Sequence, residues 1–278
     1  RCSRVDLLQA GTRQGALTWL TATYLDAILA RHREMAAADR RPLDTLVERC
    51  AALPPARGFR EALHGRPGLG VISEVKRRSP SKGDLFAELD PGALAVDYER
   101  GGAACLSVLT DAEYFGGSVE DLQVARAASS LPVLRKDFTV SPLDVVDARL
   151  MGADCVLLIA AALDRVELVD FHRLALEIGL DVLVEIHDEA ELELALAAEA
   201  TLVGVNQRDL ATFRVDHERA ERVAGVIPET AVRVAESGVR GVDDARRLEA
   251  AGYDAVLVGE TLVTSGDPGA AIRALIGR

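Results

Sequence analysis

The sequence predicts a (β/α)8 barrel, an α/β TIM-barrel fold, preceded by an N-terminal helical extension. Three observations carry that expectation. From residue 71 onward, short apolar runs alternate with helix-forming stretches, giving eight βα units over about 200 residues. The runs are continuously apolar rather than alternating, as strands are when both faces of a parallel sheet are covered. Polar residues then gather at the carboxyl ends of the runs, the end at which barrel active sites form. A doubly wound open sheet is the alternative, but it does not usually need eight units, and no GxGxxG follows the first run.

In chain order, residues 1–22 show no periodic core-facing pattern and no initiator Met, so a poorly ordered, dispensable tail is expected there. Its scattered charge argues against a signal peptide. Residues 24–38 (YLDAILARHREMAAA) are amphipathic and rich in helix formers. Residues 43–52 continue helically after Pro42, Pro54-Pro55 breaks the run, and residues 59–63 read as a short helix. About residues 23–70 should therefore pack as a helical cap, making 23–278 a single domain. A separate helical domain is the alternative, and the shortness of the stretch argues against it.

Strands are expected at 71–76, 104–109, 132–135, 155–159, 181–186, 202–206, 232–235 and 255–258. Helices are expected at 91–100, 118–128, 142–151, 164–178, 188–198, 216–224, 242–251 and 268–276. Several begin with Asp, Ser or Pro at capping positions. Gly152, Gly179 and Gly252 close three of them just before the next strand. The chain ends directly after the eighth helix, so no further fused domain is expected.

The 278 residues are 49% hydrophobic and 27% charged, enough for a full core. The formal charge of −12 argues against nucleic acid or an anionic membrane as partner. It leaves room for a small anionic substrate in a local basic pocket. Cys2, Cys50, Cys105 and Cys155 form no CxxC and no disulfide-like array, which suits buried thiols in a reducing, cytoplasmic setting. No apolar run reaches transmembrane length. The histidines at 32, 64, 172, 187 and 217 show no HxH or HExxH spacing, so no metal site is expected. There is no Walker A loop and no serine nucleophile elbow.

The first strand carries the sharpest signal. Glu74 and Lys76 interrupt an apolar run two residues apart, and a period of two puts them on one face. A carboxylate and an ammonium on an inward face are costly unless paired or used. The other strand ends carry Lys136 and Asp137, Glu185, Asn206 and Arg208, Glu236 and Ser237, and Gly259-Glu260. A solvated strand end explains any one of these well; it explains so many coincident cases poorly. Ser237-Gly238 and Gly259 follow the last two strands, where backbone N–H groups commonly bind phosphate in barrels. Ser79 could add a hydroxyl.

The motif EVKRRSPSKG at residues 74–83 closely resembles the first-strand motif of the indole-3-glycerol phosphate synthase family. The resemblance continues through LTDAEYFGGS (109–118), LRKDF (134–138), DCVLLIAAAL (154–163), LVEIH (183–187), GVNQRDL (204–210), AESGV (235–239) and VGETL (258–262). It covers the chain from about Tyr24. Gln207 and Thr261 depart from the usual residues, at positions to which the family assigns no catalysis.

The resemblance implies closure of 1-(2-carboxyphenylamino)-1-deoxyribulose 5-phosphate to indole-3-glycerol phosphate with loss of CO2 and water. Lys136 would be the acid at the ketone oxygen. Lys76 would hold the substrate carboxylate and later help expel hydroxide. Glu185 would be a base in dehydration, positioned by Asn206, with Glu74 orienting the lysines. Glu236 and Arg208 would complete the polar ring, and Phe115 and Phe138 would flank the aromatic ring. Ser79, Pro80, Ser237, Gly238, Gly259 and Glu260 would complete substrate binding. No cofactor is implied, because the substrate's own ring is the nucleophile. A monomer, at most a weak dimer, is expected. Two rivals are weighed against this. A sister barrel such as phosphoribosylanthranilate isomerase would need a Cys in the first-strand motif, which holds Glu74-Val75-Lys76 instead. A barrel kept as a scaffold should have lost some charged residues, and none is visibly lost.

Overall fold

The computed structural model describes residues 24–79, 82–86, 88–209 and 214–277, so the expectation for the tail at 1–22 lies outside the described residues. Eight parallel strands close into one barrel: β1 (Gly70–Val75), β2 (Cys105–Leu109), β3 (Val133–Lys136), β4 (Cys155–Ile159), β5 (Asp181–Ile186), β6 (Leu202–Asn206), β7 (Val232–Glu236) and β8 (Ala255–Val258). They follow one another in sequence order, and β1 pairs with both β2 and β8. That closure rules out the open-sheet alternative.

Three strand ends differ from expectation. β1 stops at Val75, leaving Lys76 just outside it, whereas β3 and β7 each extend by one residue to include Lys136 and Glu236. The neighbouring strands explain the extensions: Lys136 is in register with Leu109, and Glu236 with Asn206. A ladder partner on the next strand keeps the backbone extended whatever the side chain's polarity.

The barrel has two apolar shells. Ile72, Leu134, Leu157, Leu183, Val234 and Leu257 pack together inside it. Leu106, Val108, Val133, Val156, Leu158 and Val256 face the surrounding helices. On three strands period two gives the inward row an apolar floor and a polar top: Leu134 then Lys136, Leu183 then Glu185, and Val234 then Glu236. The helix caps match their sequence cues. Asp90, Ser118, Ser141, Asp164, Asp188, Asp216 and Asp267 accept from first-turn N–H groups.

Ahead of the barrel come α1 (Tyr24–Ala38), α2 (Leu43–Ala51) and α3 (Phe59–Leu63). The helix α3 closes the amino-terminal end, with Phe59 and Leu63 fully buried against the inner shell. Leu46 and Cys50 of α2 are buried in the outer shell, and Cys50 Sγ reaches the Val146 carbonyl of the helix Pro142–Met151. Meanwhile α1 reaches the opposite end, where Arg31 pairs with Glu113 at 2.6 Å and Arg33 with Glu167 at 2.8 Å. Five short elements lay below the reach of sequence periodicity. They are an antiparallel pair, Arg78–Ser79 with Gly83–Asp84, the helices Ala112–Phe115 and Glu260–Val263, and the 3-10 turn Ala160–Ala162. None is long enough to show a repeat.

Candidate active site

The carboxyl ends of the strands surround a cavity of about 420 Å³, within the range of small-molecule sites. Its walls include Glu74, Lys76, Ser79, Phe115, Lys136, Phe138, Glu185, Asn206, Arg208, Glu236, Ser237, Gly238, Gly259 and Glu260. The structure thus brings every sequence-expected site residue to one mouth except Pro80, which lies outside the described residues.

Lys136 stands at the centre. Its Nζ donates to Glu185 Oε2 at 2.6 Å and to Glu236 Oε2 at 3.1 Å. Asn206 Nδ2 donates to the other Glu185 oxygen at 2.9 Å, so that carboxylate is held from both sides. Burial alone would strip the Lys136 charge, but Glu185, Glu236 and Glu74 outweigh it and hold the ammonium's pKa well above its ordinary value. Burial also pushes Glu185 up, yet Lys136, His187 and the hydrogen bonds from Lys136 and Asn206 win, so Glu185 stays ionised well below the usual carboxylate range. Glu236 goes the other way: burial, reinforced by the charge of Glu185, pushes it to about 7 against the pull of Lys136. Two carboxylates around one lysine have thus been driven apart, a pattern that separates acid and base roles. Glu236 Oε1 has no hydrogen-bond partner among the described residues.

The second lysine, Lys76, is paired with Glu74 at the end of β1, as period two required. Tyr98 donates to the Glu74 carbonyl at 3.0 Å and fixes that strand end from behind. Phe115 and Phe138 face the cavity with ring centroids 6.2 Å apart, tilted by 39°, a setting for an aromatic ring.

On the side of β7 and β8, Ser237 and Gly238 take consecutive positive φ values of 65° and 78°. Such a turn can present successive N–H groups to an anion. The short helix Glu260–Val263 begins next to it with Gly259 at its N-cap. Gln207 Nε2 donates to the Ser237 carbonyl at 2.7 Å and Thr261 Oγ1 to the Val239 carbonyl at 2.8 Å, bracing the turn from both flanks. Ser79 Oγ is buried without a partner among the described residues and lines the same cavity. Lys82, not singled out in the sequence, pairs with Glu260 across the opening.

Two glycines make the acids fit. A Cβ at Gly204 on β6 would lie 2.1 Å from Glu236 Oε1, and one at Gly259 would lie 2.2 Å from Glu74 Oε1 and 3.1 Å from Lys76 Nζ. Gly259 is thus required by a side chain opposite it, beyond any contact its backbone makes with a ligand. Sequence reasoning missed Gly204; a glycine inside a strand signals close approach, but not by what.

His187 was also missed. It sits buried two residues past Glu185, where period two places it on the same side. His32 on α1 comes within 3.1 Å of Asp111 and 4.0 Å of Asp137, and these three could offer ligand atoms to a cation. Both carboxylates already have partners. Asp111 accepts from Tyr114 N at 2.6 Å, and Asp137 from Arg135 Nη2 at 3.0 Å and Phe138 N at 2.8 Å. The cluster ties α1 to the mouth, with the His32 ring 5.4 Å from that of Phe138.

The family model and the curated relatives agree on one family. The model of indole-3-glycerol phosphate synthase matches residues 25–275. Indole-3-glycerol phosphate synthase 2 of Streptomyces coelicolor is 50% identical over 252 residues, covering 90% of this chain and 97% of its own. The synthase of Mycolicibacterium smegmatis is 48% identical over 258 residues, covering 92% of this chain and 94% of its own. Among solved structures, an N-acetylmannosamine-6-phosphate 2-epimerase from Clostridium perfringens superposes with a TM-score of 0.58 at 13% identity, over 77% of this chain and 95% of its own. A thiamine phosphate pyrophosphorylase from Pyrococcus furiosus gives 0.57 at 17%, over 74% and 93%. Those two likenesses speak to the fold alone.

Proposed function

The chain belongs to the indole-3-glycerol phosphate synthase family, and on that premise we propose how the mouth residues divide the reaction. The enzyme is a decarboxylating lyase of tryptophan biosynthesis. It converts the phosphorylated 1-(2-carboxyphenylamino)-1-deoxyribulose 5-phosphate to indole-3-glycerol phosphate.

An aromatic carbon attacks the ketone, and the ketone oxygen gains negative charge. Lys136 supplies a proton there. Its charge is held firmly in the free site, but a developing alkoxide is a stronger base than an amine, so transfer runs downhill. Lys76, oriented by Glu74, holds the substrate carboxylate and later assists hydroxide departure. Carbon dioxide leaves as the ring regains aromaticity; the substrate's own ring supplies the nucleophile, so this chemistry calls for no cofactor. Glu185, kept ionised and aimed by Asn206, takes the proton in dehydration. Phe115 and Phe138 flank the ring, Arg208 and Glu236 close the polar wall, and Ser79, Ser237, Gly238, Gly259 and Glu260 form the phosphate side. Glu260 serves there by holding Lys82 over the opening.

The observation that carries this reading is Lys136 suspended between two buried carboxylates at the centre of the mouth. Single-turnover experiments test it. Lys136→Met is expected to abolish ring closure nearly completely while substrate still binds. Lys136→Arg should not rescue it, since guanidinium is too weak an acid. Lys76→Met should weaken binding and let a ring-closed intermediate accumulate. Ring closure at the parent's rate in Lys136→Met, but not in Lys76→Met, would reverse the two assignments.

We also read residues 23–278 as one domain in which the extension is part of the barrel's closure. The burial of Phe59 and Leu63 in the inner shell supports this. Among the described residues, no helix is long and apolar enough to cross a membrane. Buried free thiols at Cys50, Cys105 and Cys155 support a cytoplasmic setting. Exposed large hydrophobics such as Met35, Val166, Leu176 and Val226 are scattered over separate elements, which supports a monomer.

A further inference from the structure

His187 has no part in the roles assigned above, yet its ring is fixed with care. Glu191 Oε2 accepts from the His187 backbone N–H at 2.7 Å and lies 3.0 Å from the ring's Nδ1. The other ring nitrogen, Nε2, is buried without a hydrogen-bond partner among the described residues and lies 3.9 Å from Glu185 Oε1. That oxygen is the one Asn206 holds from the opposite side. An unpartnered buried nitrogen facing a buried carboxylate calls for a reason.

The catalytic cycle supplies one. Before proton transfer, the main countercharge of Glu185 is Lys136 at 2.6 Å. When Lys136 acts as an acid, its N–H bond breaks, an O–H bond forms on the substrate, and the amine is left neutral. Glu185 then sits buried beside Glu236 with its principal cation gone. In that state the carboxylate would favour protonation, and a protonated Glu185 cannot serve as the base of the later step. We infer that His187 is a positioning residue that works as an imidazolium, standing as the second cation of Glu185 while Lys136 is neutral. The inference rests on the acid and base roles proposed for Lys136 and Glu185.

The groups facing the ring fit this role. They are Glu185 on β5, Glu191 on the helix Glu189–Ala197 and Arg219 on the helix His217–Ala224; Lys136 and Glu236 lie just beyond Glu185. Burial disfavours the charged ring. The hydrogen bond to Glu191 and the charges of Glu185 and Glu191 outweigh both burial and the opposing charge of Arg219, so the proton is held more tightly than on a free histidine.

The test uses the full chain. With 15N-labelled histidine at about pH 7.5, where a free imidazole is neutral, His187 should show both ring nitrogens protonated. The resonance is assigned by its loss in His187→Asn. A neutral ring with one N–H overturns the inference. In kinetics, His187→Asn should lower kcat about tenfold, leave KM within about twofold, and move the acid limb of kcat up by about one pH unit, as expected for losing a charge at this range. Glu191→Gln, which disturbs the fold less, should move the limb in the same direction by less. In a Glu185→Gln background, His187→Asn should cost nothing further. A lowered kcat in Glu185→Gln with an unmoved limb in both other variants overturns this inference alone. Parent-like kcat in Glu185→Gln removes the base assignment and this inference with it.

Discussion

The barrel buries acids at both ends and treats them in opposite ways. At the amino-terminal end, Asp154 is fully buried, and its carboxylate accepts from Arg57 N at 2.8 Å, Val133 N at 2.9 Å and Arg126 Nη2 at 2.9 Å. Nearby, Asp181 accepts from Arg60 N at 2.9 Å and Asp254 from Arg233 N at 2.8 Å. These acids fasten strand starts to their neighbours and to the segment around α3, largely through backbone N–H groups. At the mouth, Glu74, Glu185 and Glu236 are as deeply buried, but they are held by lysines and an amide, and one Glu236 oxygen is left over. Backbone donors cannot leave; side-chain donors can be exchanged for a substrate. One end uses burial to lock the fold, and the other keeps hydrogen-bonding capacity in reserve.

If that division is right, neutralising acids at the two ends should damage different properties. The largest effect is expected for Glu185→Gln, which keeps the shape but loses the charge. kcat should fall by about 10²–10⁴-fold, the usual range for a positioned acid or base. The melting temperature should fall only modestly, because Glu236 at 3.1 Å remains as a countercharge for Lys136. An unchanged kcat would demote Glu185 to a binding residue. Next comes Asp154→Ala, which strands two backbone N–H groups and a guanidinium. It should cost about 3 kcal/mol of stability while kcat per folded molecule stays within about twofold. Chemical denaturation and active-site titration together would show whether the loss is confined to the fold.

A smaller effect concerns pH. Glu236 gains its charge as pH rises through about 7. Once charged, it tightens the hold on the Lys136 proton and makes that lysine a weaker acid. A fall in kcat is therefore expected above neutrality, and Glu236→Gln should flatten that limb; a parent-like limb in the variant would place the titration elsewhere. The smallest effect is expected for Ser79→Ala. Removing an unpartnered buried hydroxyl should leave stability unchanged or slightly improved. If the hydroxyl meets the substrate phosphate, KM should rise about tenfold with kcat unchanged, as for loss of one hydrogen bond to a charged group. Equal inhibition of variant and parent by inorganic phosphate would move the anion site away from Ser79.

Much of this was readable in the chain because a strand repeats every two residues. That rule put Glu74 with Lys76 on one face, and the convergence of strand carboxyl ends in a barrel gathered Lys136, Glu185 and Glu236 at the same mouth. The same rule, carried one step further from Glu185, reaches His187. It was passed over because histidine is at home in both cores and surfaces, and its burial depends on Glu191 and the packing of the next helix. The short helices at Ala112–Phe115 and Glu260–Val263 were unreadable for a different reason: one turn has no period. Gly259 was placed correctly at the mouth but for half of the reason, since the contact that excludes a side chain comes from Glu74 on another strand.

That last point bears on how such a chain can change over generations. Gly204 and Gly259 are empty because Glu236 and Glu74 occupy the space their side chains would need. A side chain at either site and the neighbouring carboxylate in its present place exclude one another, so alanine at 204 obliges the acid at 236 to swing aside as it arrives. A descendant with a side chain at either glycine has already given up the neighbouring carboxylate's position. Two residues with no chemistry of their own thus record whether the chemistry beside them has been kept.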